Sequence, residues 1–177
     1  MRKFVAILRG LNVGGERKLP MDELKELFLK LGYSKVRTIM QSGNVIFEAE
    51  AKEEEISKAV ENAIFETYNF KVPVICRSAE DLQKSVTENP FFEDAAAELE
   101  RLHLTFLKEL PESKKLEKLK EYNFYPDEFL VREKNIFIYC SGKYSDSELS
   151  NTFFEEKLKV PATTRKWETV LKLAELV

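Results

Sequence analysis

The chain has 177 residues, of which 44% are hydrophobic and 33% charged, and its formal net charge is −3 at pH 7. This composition is typical of a folded globular protein and argues against a disordered chain. The negative charge argues against a dedicated duplex DNA binder, which usually carries a basic surplus. No apolar run reaches the roughly 18 residues of a membrane span, and no signal-peptide cleavage site follows the first apolar run. We therefore expect a cytoplasmic protein that makes no membrane contact.

Two cysteines and a single histidine restrict the metal and redox chemistry. Cys76 and Cys140 lie in separate apolar runs without CxxC spacing, so we predict two buried free thiols. One histidine excludes multi-histidine metal sites, and His103 is expected to be an ordinary polar strand residue. We predict no metal and no cofactor.

The first half of the chain alternates strand and helix patterns. Apolar runs predict strands at 3–10 and 70–78, and a helix is predicted at 21–33 with Gly32 as its C-terminal stop. Two short strands are predicted within 35–49 around a turn at 41–44, followed by an amphipathic helix at 52–68. The order is strand, helix, strand, strand, helix, strand, which is typical of a ferredoxin-like unit.

The second half repeats this order. A helix at 78–91, with Ser78 as N-cap, leads into a connector at 91–100 that could be helical. A strand at 102–110 and a helix at 111–122 with Pro111 in its first turn come next. Two strands within 126–142 around a turn at 133–135, a helix at 145–160 opened by Ser145 to Ser147, and an extended piece with a final helix complete the chain.

A short sequence match supports an internal duplication. Lys-Val-Pro occurs at 71–73 and again at 159–161, and an arginine, Arg77 or Arg165, stands four residues after each proline. Together with the repeated element order this predicts an α+β fold of two tandem ferredoxin-like (βαββαβ) units with mainly antiparallel sheets. We place the first unit at 1–78, a helical connector at 79–101, and the second unit with its C-terminal helix at 102–177. Units this small are expected to pack together.

The stretch LRGLNVGGERKLPMDEL, residues 8–24, is the first candidate site. It places three of the six glycines and several cations between a strand and a helix. Such loops can bind anions through backbone N–H groups and the helix N-terminus, but the Walker and GxGxxG patterns are both absent. A plain turn with glycines at positive φ is the alternative. The candidate ligand-binding residues are Arg9, Asn12, Gly14, Gly15 and Lys18.

The turn at 41–44 is a second polar cluster. Its glycine and asparagine suit a hairpin, whereas Gln41 and Ser42 are not required there, so Gln41, Ser42 and Asn44 are added to the candidate ligand-binding residues. The predicted topology gives no reason for this turn to meet the glycine-containing loop.

A third cluster precedes the final helix, which Thr163 or Thr164 could cap. Arg165, Lys166 and Trp167 would then lie at its first turn, where cations oppose the helix dipole unless an anion binds. We include Thr164 to Trp167 among the candidate ligand-binding residues. The alternative is that Arg165 pairs with a carboxylate such as Glu168 or Asp127 and that Trp167 is a packing residue.

Three segments of the chain, ILRGLNVGGERKLPMDEL, IMQSGNVIFEA and ATTRKWETVLKLAEL, together resemble bacterial domain-of-unknown-function family 1697. The resemblance runs from Lys3 to the C-terminus. It implies a small cytoplasmic bacterial protein with an α+β, ferredoxin-like fold and no established activity. The chain departs from the family pattern at Lys166 and Glu168, where asparagine is usual or common, so any ligand held by those amides would be bound differently here.

Three functions follow from these features. The first is a binding or regulatory module for an anionic, phosphate-bearing small molecule or nucleic-acid segment, with Trp167 stacking on a ring. The second is an enzyme acting on a phosphorylated or carboxylate substrate, although no paired-carboxylate or nucleophile–base spacing is evident. The third is a scaffold that binds another protein through an exposed sheet edge.

Overall fold

A computed structural model describes residues 1–92 and 98–177. Within them lie two four-stranded antiparallel sheets and six α-helices, which confirms the prediction of an α+β fold built on antiparallel sheets. The described residues form two compact units: unit 1 comprises Met1–Gln83 and Leu173–Val177, and unit 2 comprises Lys84–Lys172.

Unit 1 is organised around its first strand. Its elements are β1 (Arg2–Leu8), α1 (Met21–Lys30), β2 (Ser34–Ile39), β3 (Asn44–Ala49), α2 (Glu53–Tyr68) and β4 (Val74–Ser78). The strand order is β2-β3-β1-β4, so β1 is hydrogen-bonded along both edges. Alternate β1 side chains, Phe4, Ala6 and Leu8, share one core cluster with residues of α1 and α2. Both helices therefore pack on one face of the sheet.

The ends of α1 show how the local sequence sets an element. The helix begins after Pro20, whose carbonyl accepts the Leu24 N–H at 3.0 Å. It ends where Gly32 adopts φ +84° and Tyr33 N–H reaches back to the Phe28 carbonyl at 3.2 Å. This pattern closes helices with a residue in the left-handed region, so the predicted stop at Gly32 is confirmed.

Unit 2 repeats the strand order of unit 1. The remaining elements are α3 (Ala79–Thr87), β5 (Leu102–Leu107), α4 (Ser113–Leu119), β6 (Glu128–Arg132), β7 (Asn135–Tyr139), α5 (Asn151–Leu158), β8 (Ala162–Lys166) and α6 (Trp167–Leu176). The sheet order is β6-β7-β5-β8, with β5 central. Leu119 of α4 and Phe154 of α5 join β-strand residues in one core cluster.

Two predicted helix starts in unit 2 are wrong. Residues Tyr144–Asp146 form a separate 3-10 turn, and α5 begins only after Ser150, whose hydroxyl accepts the Phe153 N–H at 3.2 Å. The serines at 145 and 147 are good caps by residue type, but Ser150 is the one that precedes the helix. Likewise Pro111 lies before the N-cap Glu112, so α4 starts two residues after that proline.

Several local predictions are confirmed. Ser78 caps α3, because its hydroxyl accepts the Asp81 N–H at 3.1 Å. Cys76 and Cys140 are both buried and free. In the predicted connector, Leu99–Arg101 is a short 3-10 turn, whereas positions 93–97 lie outside the described residues.

The two Lys-Val-Pro segments occupy matching places in the two sheets. Each is followed at once by the edge strand β4 or β8. The Pro73 carbonyl accepts the Arg9 N–H at 3.0 Å, and the Pro161 carbonyl accepts the Lys108 N–H at 2.9 Å. Each proline therefore holds the residue that follows the central strand of its own sheet.

The following arginines also correspond. Arg77 donates to the Cys76 carbonyl at 2.9 Å, and Arg165 donates to the Thr164 carbonyl at 3.1 Å. In both units an arginine thus donates to the carbonyl of the residue before it.

None of the helices described within 1–92 and 98–177 is long and apolar enough to cross a bilayer.

Candidate functional site

The loop at residues 9–18 leaves the sheet from a fixed point. At the end of β1, Leu8 N–H donates to the Gly43 carbonyl at 2.8 Å, and Arg9 N–H donates to the Pro73 carbonyl at 3.0 Å. These bonds continue the pairing of β1 with its two neighbours. The last residue of β1 and the first loop residue are therefore each held by one neighbouring strand end.

Residues 12–17 form a tight hairpin, which we call the finger. Asn12 N–H donates to the Arg17 carbonyl at 3.2 Å, and inside this pair Glu16 N–H donates to the Val13 carbonyl at 3.2 Å. The two central residues, Gly14 and Gly15, have φ of +63° and +79°. A four-residue turn with this bond and positive φ at both centres is a type I′ turn, which favours glycine.

The finger explains the glycines as turn residues. A Cβ added at Gly14 or Gly15 would meet nothing within 4 Å, so the protein's own packing does not require glycine there. The N–H groups of Asn12 and Glu16 are used inside the hairpin. The positive-φ turn of the sequence interpretation is observed, and the anion-binding interpretation stays a prediction.

Asn12 braces the base of the finger. Its Nδ2 donates to the Leu19 carbonyl at 3.0 Å and to the Gln41 carbonyl at 3.1 Å, and its Oδ1 accepts the Leu19 N–H at 2.8 Å. Both polar atoms of the amide are thus engaged. Asn12 itself adopts φ +57°, a conformation that asparagine tolerates better than most residues. The side chain positions the loop and has little capacity left to bind a ligand.

The bond to Gln41 joins the loop to the second candidate cluster. A contact between the turn at 41–44 and the loop was not predicted, but the antiparallel register places Ile7 opposite Asn44 and so brings the turn and the loop together. At Gly43, φ is +80°, and an added Cβ would lie 3.1 Å from Leu8 and Leu11 side-chain atoms. The turn is therefore packed against the first residues of the loop.

Asn44 has a structural role in this turn. It is fully buried, and its Nδ2 donates to the Ile39 carbonyl and to the Ser42 hydroxyl, each at 3.1 Å. A buried amide committed to its own hairpin is not presented to a ligand. The inclusion of Asn44 among ligand-binding residues is therefore wrong. The Gln41 and Ser42 side chains are both exposed, so their predicted contact with a ligand stays a prediction.

Cations surround the finger. Arg17 and Lys18 are exposed and Arg9 is half-buried. The Arg17 guanidinium lies over Gly10, where an added Cβ would be 3.1 Å from its Nη1. Lys18 precedes α1 by three residues, and the first turn of α1 already contains Asp22 and Glu23. These two acids complement the dipole at the N-terminus of α1, so the dipole alone does not require an external anion there.

The third cluster belongs to unit 2 and differs from its prediction. Thr163 and Thr164 are strand residues of β8, and α6 starts at Trp167, so neither threonine caps that helix. Trp167 is fully buried, and its ring packs edge-on against Phe137 at 6.4 Å. An indole in this position packs the core and cannot stack on a ligand, so the predicted stacking role is wrong.

Arg165 and Lys166 have different environments. The Arg165 guanidinium donates to the Thr163 hydroxyl at 2.9 Å and to the Thr164 carbonyl at 3.1 Å. Burial lowers the pKa of Arg165 to about 10, because the charged form loses solvation. Lys166 is exposed at the end of β8. This segment belongs to unit 2, whereas the 9–18 loop belongs to unit 1.

Unit 2 contains a row of polar side chains at core positions, His103, Thr105 and Thr164, which we call the polar file and which the sequence interpretation missed. The registers of the two sheets correspond: Ala6 lies opposite Cys76, and Thr105 lies opposite Thr164. Where the core of unit 1 has Phe4, Ala6 and Cys76, the same places in unit 2 are occupied by His103, Thr105 and Thr164. Aligning the two halves on their prolines matches Cys76 with Thr164, whereas matching Phe4 and Ala6 with His103 and Thr105 requires the strand registers.

The threonines of this file are hydrogen-bonded. Thr105 and Thr164 hydroxyls lie 2.7 Å apart, Thr164 donates to Asn151 Oδ1 at 3.1 Å, and Asn151 donates to the Ala162 carbonyl at 2.7 Å. His103, only 5% exposed, stacks on Tyr144 with ring centroids 4.4 Å apart. Within the described residues, His103 Nδ1 and the Tyr144 hydroxyl are buried without a hydrogen-bond partner of good geometry. The expectation that His103 is a plain polar strand residue is therefore incomplete.

Asp127 organises the segment beside this file. Its carboxylate accepts from Ser141 N–H at 2.8 Å, from the Ser141 hydroxyl at 2.8 Å and from the Ser147 hydroxyl at 2.6 Å. Burial would raise the pKa of Asp127, but the bonds from Ser147 and Ser141 outweigh it and lower the pKa. Asp127 thus stabilises the turn that precedes α5.

Among residues 1–92 and 98–177, no group of three or more His, Cys, Asp or Glu side chains is arranged to hold a metal.

Comparison with known proteins identifies the family. A family model described as Protein of unknown function (DUF1697) matches residues 1–137. The chain belongs to the DUF1697 family. The resemblance to this family is thereby confirmed. The match includes the first two of the three segments that carry the resemblance, whereas ATTRKWETVLKLAEL lies beyond it. No curated protein matches the sequence of this DUF1697 member.

A solved structure shares the fold of this DUF1697 member. It is described as that of conserved bacterial protein SP0830 from Streptococcus pneumoniae. The two chains are 20% identical, the alignment covers 99% of this chain and 98% of that chain, and the TM-score is 0.79. At this level of identity the likeness shows the fold only.

The brace makes a prediction about stability. In Asn12→Gly, the glycine tolerates the positive φ at this position, but three side-chain hydrogen bonds are lost. We therefore expect the substitution to lower the free energy of unfolding by about 1–3 kcal/mol. Asn69→Gly is the matched control, because Asn69 has the same φ of +57°, is exposed and only ends α2. That variant should change stability by less than about 0.5 kcal/mol. Urea unfolding of both variants measures the difference, and equal effects would show that Asn12 braces nothing.

The polar file makes a prediction about pH. Burial lowers the pKa of His103. A hydrogen bond with the Arg101 backbone raises this pKa, and the positive charge of Lys166 lowers it further. The unfolded chain therefore binds this proton more readily, and stability should fall as pH drops below the ordinary histidine pKa of about 6.5. His103→Phe, which installs the residue type of Phe4, removes the titration. Because His103 is the one histidine of the chain, urea unfolding at pH 7.5 and 5.5 isolates its contribution. The account is wrong if wild type and variant lose the same stability.

Proposed function

We propose that this DUF1697 member is a binding protein for a phosphate-bearing anion and that the finger, with Arg9 and Lys18 beside it, is the contact surface. The observation that carries this proposal is the brace. Asn12 uses both amide atoms to fix an exposed hairpin, and a Cβ added at Gly14 or Gly15 at its tip would meet nothing within 4 Å. Fixing an exposed backbone costs conformational entropy. That cost is accounted for if the fixed finger presents its cations to a ligand, since preorganisation raises affinity.

The chemistry of the contact follows from the side chains around the finger. Arg17 can donate two parallel hydrogen bonds to phosphate oxygens, and Lys18 adds a mobile positive charge. Arg9, which is half-buried and held at its backbone by Pro73, is the best-placed third cation. Gln41 can add an amide at the edge of the same surface. Asn12 acts as a positioning residue.

The second predicted group contributes less to this proposal. Of Thr164, Arg165, Lys166 and Trp167, Lys166 is the member with an exposed side chain. Thr164 is engaged with Thr105 and Asn151.

We also propose that the two units are tandem ferredoxin-like repeats that arose by duplication, with boundaries near 1–78 and 102–177 around the connector at 79–101. Equal sheet orders, the paired Pro73 and Pro161 acceptors, and the paired Arg77 and Arg165 donors support this. A cytoplasmic location is part of the same proposal and is supported by the two free, buried thiols.

The binding proposal is tested by titration with inorganic pyrophosphate, ATP and a ten-nucleotide single strand. We expect at least one probe to bind, and the double variant Arg17→Ala/Lys18→Ala to weaken it by about tenfold or more, as loss of charge-assisted hydrogen bonds predicts. If nucleic acid is the ligand, the affinity for the single strand should fall steeply as the salt concentration rises. If a nucleotide is the ligand, the affinity for ATP should depend less on salt.

Lys58→Ala is the control for nonspecific charge. Lys58 is an exposed lysine of α2, and its replacement changes the net charge without touching the finger. It should leave the affinity unchanged. Failure of all three probes to bind, or equal losses in the control and the double variant, would overturn the proposed function.

A further inference from the structure

Gly10 differs from the other two glycines of the loop in what surrounds it. A Cβ built at Gly10 would lie 3.1 Å from Arg17 Nη1, whereas a Cβ built at Gly14 or Gly15 would meet nothing within 4 Å. A separation of 3.1 Å is closer than ordinary van der Waals contact. The Arg17 guanidinium therefore occupies space that a side chain at position 10 would need. We call this space the Gly10 seat.

The backbone conformation of Gly10 does not by itself require glycine. Its φ is +66°, and other residue types in this chain adopt nearly the same value, +62° at Met40 and +58° at Lys159. Asparagine tolerates this region particularly well, and Asn12 has φ +57° only two residues later. The feature that distinguishes position 10 is thus the guanidinium in the Gly10 seat.

Arg17 is held at its backbone and at its charged end. Its carbonyl accepts the Asn12 N–H at 3.2 Å, which closes the base of the finger, and its guanidinium reaches back to the Gly10 seat. Within residues 1–92 and 98–177, no carboxylate forms an ion pair with this guanidinium. The finger therefore presents a positioned positive charge that the described part of the chain does not neutralise.

A guanidinium in a fixed place is suited to one kind of anion. Its donors form a planar fork that matches two oxygens of the same phosphate group. Because the side chain is already ordered, binding costs less conformational entropy than it would for a freely moving arginine. Lys18, the next residue, adds a point charge that lacks this geometry.

We propose that Gly10 is a positioning residue for phosphate binding, because the Gly10 seat orients the Arg17 guanidinium toward two oxygens of one phosphate group. This inference rests on the proposed function, since Arg17 belongs to the same contact surface. It adds that the ligand presents a phosphate group with at least two unbridged oxygens to Arg17. It also makes affinity depend on a glycine that lies outside the finger.

Calorimetric titration with inorganic pyrophosphate tests the Gly10 seat through two asparagine variants. Gly10→Asn tolerates the positive φ but places a side chain in the seat, so we expect about fivefold weaker binding, as loss of a charge-assisted hydrogen bond predicts. Gly32→Asn is the matched control, because Gly32 has φ +84°, is exposed, and has no atom within 4 Å of an added Cβ. It should leave the affinity unchanged.

Arg17→Lys separates the geometry of the fork from its charge. This substitution keeps the positive charge but removes the fork, so it should weaken pyrophosphate binding about as much as Gly10→Asn does. In the double variant Gly10→Asn/Arg17→Lys, the second substitution should add little, because both substitutions remove the same contact.

The Gly10 seat can also be measured without a ligand. Relaxation of ¹⁵Nε of Arg17 should show an ordered guanidinium in wild type and in Gly32→Asn, and a mobile one in Gly10→Asn. The wild-type measurement alone can reject the seat, so the test remains valid if Gly10→Asn folds poorly.

The outcomes distinguish this inference from the proposed function. A guanidinium that is as mobile in wild type as in Gly10→Asn, or equal pyrophosphate affinity in these two proteins, overturns the inference alone. Equal losses in Gly10→Asn and Gly32→Asn do the same. If wild type does not bind pyrophosphate, the inference is also overturned, whereas the proposed function fails only if ATP and the single strand do not bind either.

Discussion

The candidate site depends on the pairing of β1 along both of its edges. Because β3 and β4 lie on either side of this strand, its four residues Val5 to Leu8 are fully buried and its end point is fixed. The last bonds of the two ladders hold Leu8 and Arg9, where the loop begins. The finger is therefore anchored to the most rigid part of unit 1. An exposed loop with such a base needs only one further contact, the Asn12 amide, to become fixed.

The order of elements was predictable from the sequence because it depends on local patterns. Hydrophobic periods, Gly32 and Ser78 determine where strands and helices begin and end, and those features act over a few residues. The errors at α5 and α6 arise where several residues of the same type compete. A run of serines or threonines marks several possible caps, and packing selects Ser150 in one case and a strand in the other.

The site was less predictable because it depends on contacts across the sheet. The meeting of Asn12 with Gln41 follows from the register of β1 against β3, which the spacing of residues in the sequence does not specify. The burial of Trp167 and Asn44 likewise depends on which face of a strand or helix is covered. In a sequence, polar and aromatic residues near a loop look like ligand contacts. In the structure, Trp167 and Asn44 are instead used in tertiary packing.

The two units share an architecture but differ in content. Unit 1 has an aromatic core in which Phe28, Tyr33 and Phe47 fill the space between helix and sheet, and it carries the braced finger. Unit 2 places His103, Thr105 and Thr164 at the corresponding core positions.

The central claim is that the finger is a preformed contact surface for phosphate. The most direct measurement is a ¹⁵N NMR titration of the assigned protein with inorganic pyrophosphate, which reports each backbone amide separately. The account predicts saturable shifts concentrated at the finger amides and at Lys18, with the Asn12 side-chain amide retaining its bonded position throughout. Shifts spread evenly over exposed lysines of both units, or no shifts at the finger at saturating pyrophosphate, would contradict it.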